Sequence, residues 1–170
     1  MKKLLLSSLL ILFSCSASIH ADTLFTIPLT GAEEVPPHDV TGTGVGTVLL
    51  NTAQDQITVN ASWTGLTGPA AAGHIHGPAP AGSTASVLFP LADVPAAISG
   101  SIPEQTFAID ATQLGWLLSG LLYLNIHTPE FPDGEIRGQI APVPEPASVA
   151  LLVFALLLLL PFGYRRFSTR

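Results

Sequence analysis

With 170 residues, 48% of them hydrophobic and only 11% charged, the chain has the apolar content for a single packed core and the length for little more. Its formal charge of −6 is unevenly placed: all twelve acidic residues lie between Asp22 and Glu145, where Arg137 is the one base, so that stretch carries −11 with its histidines neutral. Such a surface repels DNA, RNA and anionic lipid, and repels acidic polysaccharide unless divalent cations bridge the two; nucleic acid is excluded as a partner.

The chain opens MKKLLLSSLLILFSCSASIHA: two lysines, an apolar run from Leu4 to Phe13, then small residues. That order is the layout of a secretory signal, and the run is shorter than the roughly 20 residues a membrane-spanning helix needs. Cleavage after Ala21 fits best, with Ala17 and Ser18 as competing positions, so residues 1–21 read as a signal peptide. A second reading takes LFSC as a lipoprotein signal that keeps Cys15 as a lipidated first residue, although Phe13 is bulky for that motif. With cleavage after Ala21 the exported chain has no cysteine, and no disulfide braces it.

Residues 22–142 read as one domain of strands. Segments 24–29, 45–51 and 57–63 are strand-like, and TAQDQ between the latter two reads as a hairpin connection. Ile57, Val59, Ala61 and Trp63 alternate with Thr58, Asn60 and Ser62, which predicts one buried and one wet face. Further strands are expected at 72–76, 86–90, 97–102, 106–109, 121–127 and 135–140, with glycines and prolines clustered between them as turn punctuation. Only ATQLGWLLSG, residues 111–120, has helical spacing, through Leu114, Leu117 and Leu118, with Gly120 as a left-handed cap. The expected fold class is all-β: an antiparallel β-sandwich, immunoglobulin-like or superoxide-dismutase-like, with one short helix.

Two stretches carry the chemistry. In GHIHG, His74 and His76 lie two apart on a strand and so share a face, with Ile75 on the other. In LYLNIHTPEFPDGEIRGQI, Tyr123, Asn125 and His127 oppose Leu122, Leu124 and Ile126, while Glu135, Arg137 and Gln139 oppose Ile136, Gly138 and Ile140. A hairpin that matches these faces and closes through a five-residue loop sets Asn125 opposite Arg137 and His127 opposite Glu135. If the two stretches pack together, His74, His76 and His127 converge as ligands for zinc or copper, with Glu135 as fourth ligand or orienting partner. The simpler reading is a structural hydrogen-bond network without a metal. The HIH pair is similar to the metal-binding strand of copper–zinc superoxide dismutase, by analogy only, since that family's disulfide and remaining ligand pattern are missing.

Arg137, alone in an acidic domain, is expected to pair with Glu135, Asp133 or Glu104 and to shape the fold. Glu33, Glu34 and Asp39 offer oxygens to calcium but lack the dense spacing of a calcium loop, which favours a solvated segment. No catalytic residue is assigned: residues 22–142 hold no cysteine, no lysine, no Gly-x-Ser-x-Gly elbow and no phosphate or dinucleotide loop.

GAEEVPP, TGTGVGTVLL, GLTGPAAAGHIHGPAPAG and YLNIHTPEFPDGEIRGQI together resemble the CHRD domain, a module of chordin and of secreted bacterial proteins, over about residues 23–140. The resemblance implies an extracellular β-rich module without an established catalytic activity. The end of the chain, VPEPASVALLVFALLLLLPFGYRRFSTR, runs from Pro144-Glu145-Pro146 through an apolar stretch to Arg165, Arg166 and Arg170. As a helix, the 16 residues from Ala147 to Phe162 would span roughly 24 Å, short of a hydrocarbon core of about 30 Å, with the arginines on the cytoplasmic side. An ordinary single-pass anchor is one reading. The three-part order resembles the PEP-CTERM sorting signal, which implies recognition by an exosortase, removal of the tail and release or attachment at the envelope, so residues 143–170 are set apart as a sorting segment. The expected function is a secreted, non-enzymatic module with a structural or binding role at the cell envelope or extracellular matrix, with polysaccharide or surface proteins as partners. The alternative is a transition-metal-binding protein using the three histidines.

Overall fold

The structure is a computed structural model describing residues 21–141; the expected sorting segment, and the expected signal peptide apart from Ala21, fall outside the described residues. Eight strands follow one another as β1 (Thr23–Thr30), β2 (Thr43–Leu50), β3 (Gln56–Thr64), β4 (Ala72–His76), β5 (Val87–Leu91), β6 (Gly100–Ala108), β7 (Leu122–His127) and β8 (Ile136–Ile140). One helix, α1 (Ala111–Leu118), separates β6 from β7. Among the described residues no helix is long and apolar enough to cross a membrane.

The strands form one sheet in the order β5-β4-β7-β8-β1-β2-β3-β6, every pairing antiparallel. The all-β class is as expected, but the two separate sheets of a sandwich are replaced by one nearly closed sheet. The link is narrow: β1 and β8 share a single ladder pair, Thr30 with Arg137. About this seam two four-stranded arms face each other over one core. Gly46 of β2 lies against Leu124 of β7, where an added Cβ would strike a side chain of the opposite arm, and a Cβ at Gly44 would come within 3.2 Å of Ile136 of β8. At the free edges the Gln105 side chain of β6 both accepts from and donates to the Ala92 backbone beyond β5, each bond 2.8 Å long.

Alternation sets the core. Ile57, Val59, Ala61 and Trp63 point inward from β3 as expected, joined by Phe25, Ile27 and Leu29 of β1. Burying each of the Ile, Val, Leu and Phe side chains among them contributes about 1.5–3 kcal/mol by leaving water. The segments 97–102 and 106–109, expected as two strands, are largely one strand, β6, running through Pro103. Two features tolerate the proline. β6 pairs only with β3, and its register slips between Val59–Gln105 and Ala61–Ile102, so an extra residue is accommodated where proline has no N–H to give. Helix α1 starts at a reciprocal cap: Asp110 accepts from the Gln113 N–H at 2.8 Å and Gln113 accepts from the Asp110 N–H at 3.0 Å. It ends at Gly120, whose φ of 68° is the left-handed conformation read from the sequence.

The hairpin β7–β8 takes the expected register, with Asn125 opposite Arg137 and Leu122 opposite Ile140. Its ladder ends at Ile126–Ile136, so Glu135 stands just before the strand, its N–H bonded to the Ile126 carbonyl at 2.8 Å. All of β7 is buried on both faces, because loops cover the polar side.

Candidate metal centre

Strand β4 pairs with β7 so that His74 lies opposite Asn125, His76 opposite Tyr123 and Ala72 opposite His127. Alternation then puts His74, His76, Tyr123, Asn125, His127 and, through β8, Arg137 on one face of three adjacent strands. The loop between β4 and β5 folds back over this face. Ala85 donates its N–H to the Tyr123 hydroxyl at 3.0 Å, and the Ser83 carbonyl accepts from Arg137 Nη2 at 2.8 Å. The result is a cleft of about 780 Å³ whose walls include the three histidines, Glu34, Tyr123, Asn125 and Arg137.

The histidines converge: one ring nitrogen from each of His74, His76 and His127 lies within 4.8 Å of the others. Backbone carbonyls fix two of the tautomers. His127 Nδ1 is 2.9 Å from the Pro132 carbonyl and His76 Nδ1 is 3.0 Å from the Ala85 carbonyl. A carbonyl only accepts, so both Nδ1 atoms carry the proton and both Nε2 atoms present lone pairs. His76 Nε2 is buried without a partner. His74 Nδ1 lies 2.9 Å from His127 Nε2 and therefore donates to it. A metal would displace that proton to the other nitrogen of His74, a tautomer change needing no net loss of charge. Zinc–nitrogen bonds of about 2.1 Å in tetrahedral geometry place ligand nitrogens about 3.4 Å apart. Spacings from 2.9 to 4.8 Å bracket that value, so small side-chain shifts suffice.

The electrostatics suit neutral imidazole. Burial pushes the His76 pKa from 6.5 down to about 4, against the opposing pull of the Ala85 carbonyl. Burial, then the neighbouring His127, lowers His74; burial lowers His127, with the Pro132 carbonyl and Asp133 opposing. The His76 ring stacks on Tyr123 at 4.8 Å and an interplanar angle of 4°, and the Arg137 guanidinium carbon sits 3.4 Å from the centre of the Tyr123 ring.

The other expected residues fall differently. Glu135 stays out of the histidine cluster: its Oε1 accepts from the Thr67 N–H at 2.6 Å and from the Thr67 hydroxyl at 3.0 Å, and its Oε2 accepts from the Thr128 hydroxyl at 2.8 Å. Having left the ladder, it ties the hairpin to the segment after β3. Arg137 is 1% exposed, yet its hydrogen bonds go to Ser83 and to Gln139 Oε1 at 3.3 Å rather than to Glu135, Asp133 or Glu104. Of the proposed calcium ligands, Glu33 and Asp39 are exposed, whereas Glu34 is only 5% exposed and turns into the cleft, a correction to the solvated segment expected there. Burial raises the Glu34 pKa from 4.5 to about 7, against the attraction of Arg137. Its place in the cleft follows from a 3-10 turn at Gly31–Glu33 that packs near β8, and no local pattern around GAEEVPP announces it.

The family model described as the CHRD domain matches residues 25–140. No curated protein and no solved structure matches the chain.

Proposed function

Because the chain belongs to the CHRD-domain family, we propose that it is an extracellular-type, non-enzymatic module that binds one zinc or copper ion through His74, His76 and His127. The observation carrying this reading is the convergence of three ring nitrogens with two tautomers held by backbone carbonyls. Hydrogen-bonding the far nitrogen to a carbonyl is how metal-binding imidazoles are commonly oriented. Burial that disfavours imidazolium keeps the lone pairs available at neutral pH. The module's role is structural or adhesive, at the cell envelope or in the extracellular matrix, with polysaccharide or surface proteins as partners. Export through the N-terminal signal and exosortase removal of the tail after Pro144-Glu145-Pro146 would deliver it there.

The test is metal analysis of protein purified without a histidine tag or chelator. The expected result is about one equivalent of zinc or copper, lost in His76→Ala. Protein without metal, and without a stability gain on adding either ion, overturns the metal reading and leaves the histidines as a hydrogen-bond network. Intact mass of envelope and medium fractions tests processing; a full-mass chain in both defeats it.

A further inference from the structure

Among the described residues, three buried side-chain atoms have no hydrogen-bond partner: His76 Nε2, Glu34 Oε1 and Asn125 Oδ1. All three residues line the same cleft. Asn125 cannot turn its oxygen away at no cost, because its Nδ2 donates to the Asp133 carbonyl at 3.2 Å. A buried polar atom left unpaired costs about 1–3 kcal/mol, and three in one cleft mark a place built for something else to fill. A metal at the histidines satisfies the first. The other two are acceptors, and three protein ligands leave a metal with a fourth position to fill.

Resting on the metal reading above, we infer that the ion held by His74, His76 and His127 keeps one coordination position open to the cleft, and that Glu34 and Asn125 accept hydrogen bonds from a small protic ligand bound there. The ligand class is a neutral oxygen or nitrogen donor bearing O–H or N–H groups: water, or the hydroxyl or amine of a small molecule. The cleft exceeds what an ion alone needs, at about 780 Å³. An acceptor-only anion would set its lone pairs against those of Glu34 and Asn125. Arg137 Nη2 is already engaged, donating to Ser83 and Gln139.

The experiment uses cobalt(II) as a spectroscopic substitute, in the parent protein, Glu34→Ala and Asn125→Ala. Cobalt affinity is read first, then the change in the visible spectrum on adding hydroxylamine, a neutral O–H and N–H donor, or azide, an anion with acceptors only. Mildly alkaline buffer keeps the Glu34 carboxyl ionised. The expected result is cobalt binding alike in all three proteins, with hydroxylamine binding weakened about tenfold by either substitution and azide binding equal or stronger. A spectrum insensitive to hydroxylamine overturns the inference, as does hydroxylamine binding that neither substitution weakens. Failure of the parent to bind cobalt at all removes the metal reading and this inference with it, and is seen in the first measurement.

Discussion

His74 Nδ1 and His127 Nε2 meet at 2.9 Å across two adjacent strands, one imidazole donating to the other. That contact holds only while His127 is neutral, because protonating it removes the accepting lone pair. His76 beside them has its pKa lowered to about 4 by burial. The unfolded chain, with imidazoles near 6.5, takes up these protons first. The stability associated with neutral histidine is therefore complete above about pH 6.5 and falls as pH drops toward 4, by at most about 1.4 kcal/mol per pH unit for each group. Urea unfolding of the metal-free protein across that window checks this. His76→Phe, which keeps a ring against Tyr123, should flatten the slope.

Glu34 works in the opposite sense. Its folded pKa of about 7 lies above the ordinary 4.5, so the fold tolerates the protonated acid and penalises the carboxylate. Its contribution is fully favourable below pH 4.5 and is lost as pH rises through 7. Glu34→Gln, neutral at every pH, should match the parent at low pH and exceed it by on the order of 1–3 kcal/mol at about pH 8. Paired urea titrations at the two pH values measure the difference; equal stability at the higher value would show that Glu34 is solvated after all.

What could be read from residues alone was whatever depends on neighbours in sequence. The Asn125–Arg137 register followed from parity and loop length, and the helix ending at Gly120 from spacing and a single glycine. The common face of His74, His76 and His127 needed only alternation plus the pairing of β4 with β7. Placement across long separations was not legible. Glu34 enters the cleft because a turn after β1 packs near β8, about a hundred residues on, and GAEEVPP carries no trace of that. Glu135 was drawn toward the histidines by extending the ladder one residue too far; Thr67 and Thr128 claim its oxygens instead. Pro103 suggested a break that the slipped register of an edge strand absorbs.

Arg137 is a buried cation whose hydrogen bonds go to neutral oxygens. It joins the seam of the two arms, where Thr30 is its ladder partner, to the loop over the cleft through Ser83. Arg137→Lys keeps the charge but loses the flat surface that lies on Tyr123 and the Nη2 that donates to both Ser83 and Gln139. The expected cost is about 2–4 kcal/mol, read as a lower urea midpoint with an unchanged slope. Arg137→Met, of similar length and without a charge to bury, should cost less than the lysine variant; the reverse order would mean that charge, rather than shape and geometry, holds the residue in place.

The seam itself depends on Gly138. A Cβ at that position would collide with the Pro28 carbonyl oxygen and come within 2.6 Å of Ile27 Cγ2, both on β1. The obstacle is backbone, which cannot swing aside as a side-chain end can. Gly138→Ala must therefore push β8 from β1 where a single ladder pair joins the arms. The expected loss is about 3 kcal/mol or more, in the range of overpacked cores. Gly115 in α1 provides the contrast. Nothing lies within 4 Å of its would-be Cβ, and alanine there should stabilise the protein by about 0.5–1 kcal/mol through helix propensity. Thermal unfolding of the two variants beside the parent separates them: a lower midpoint for Gly138→Ala and a slightly higher one for Gly115→Ala. If Gly138→Ala unfolds with the parent, the arms do not need the close approach of β1 and β8 that the seam displays.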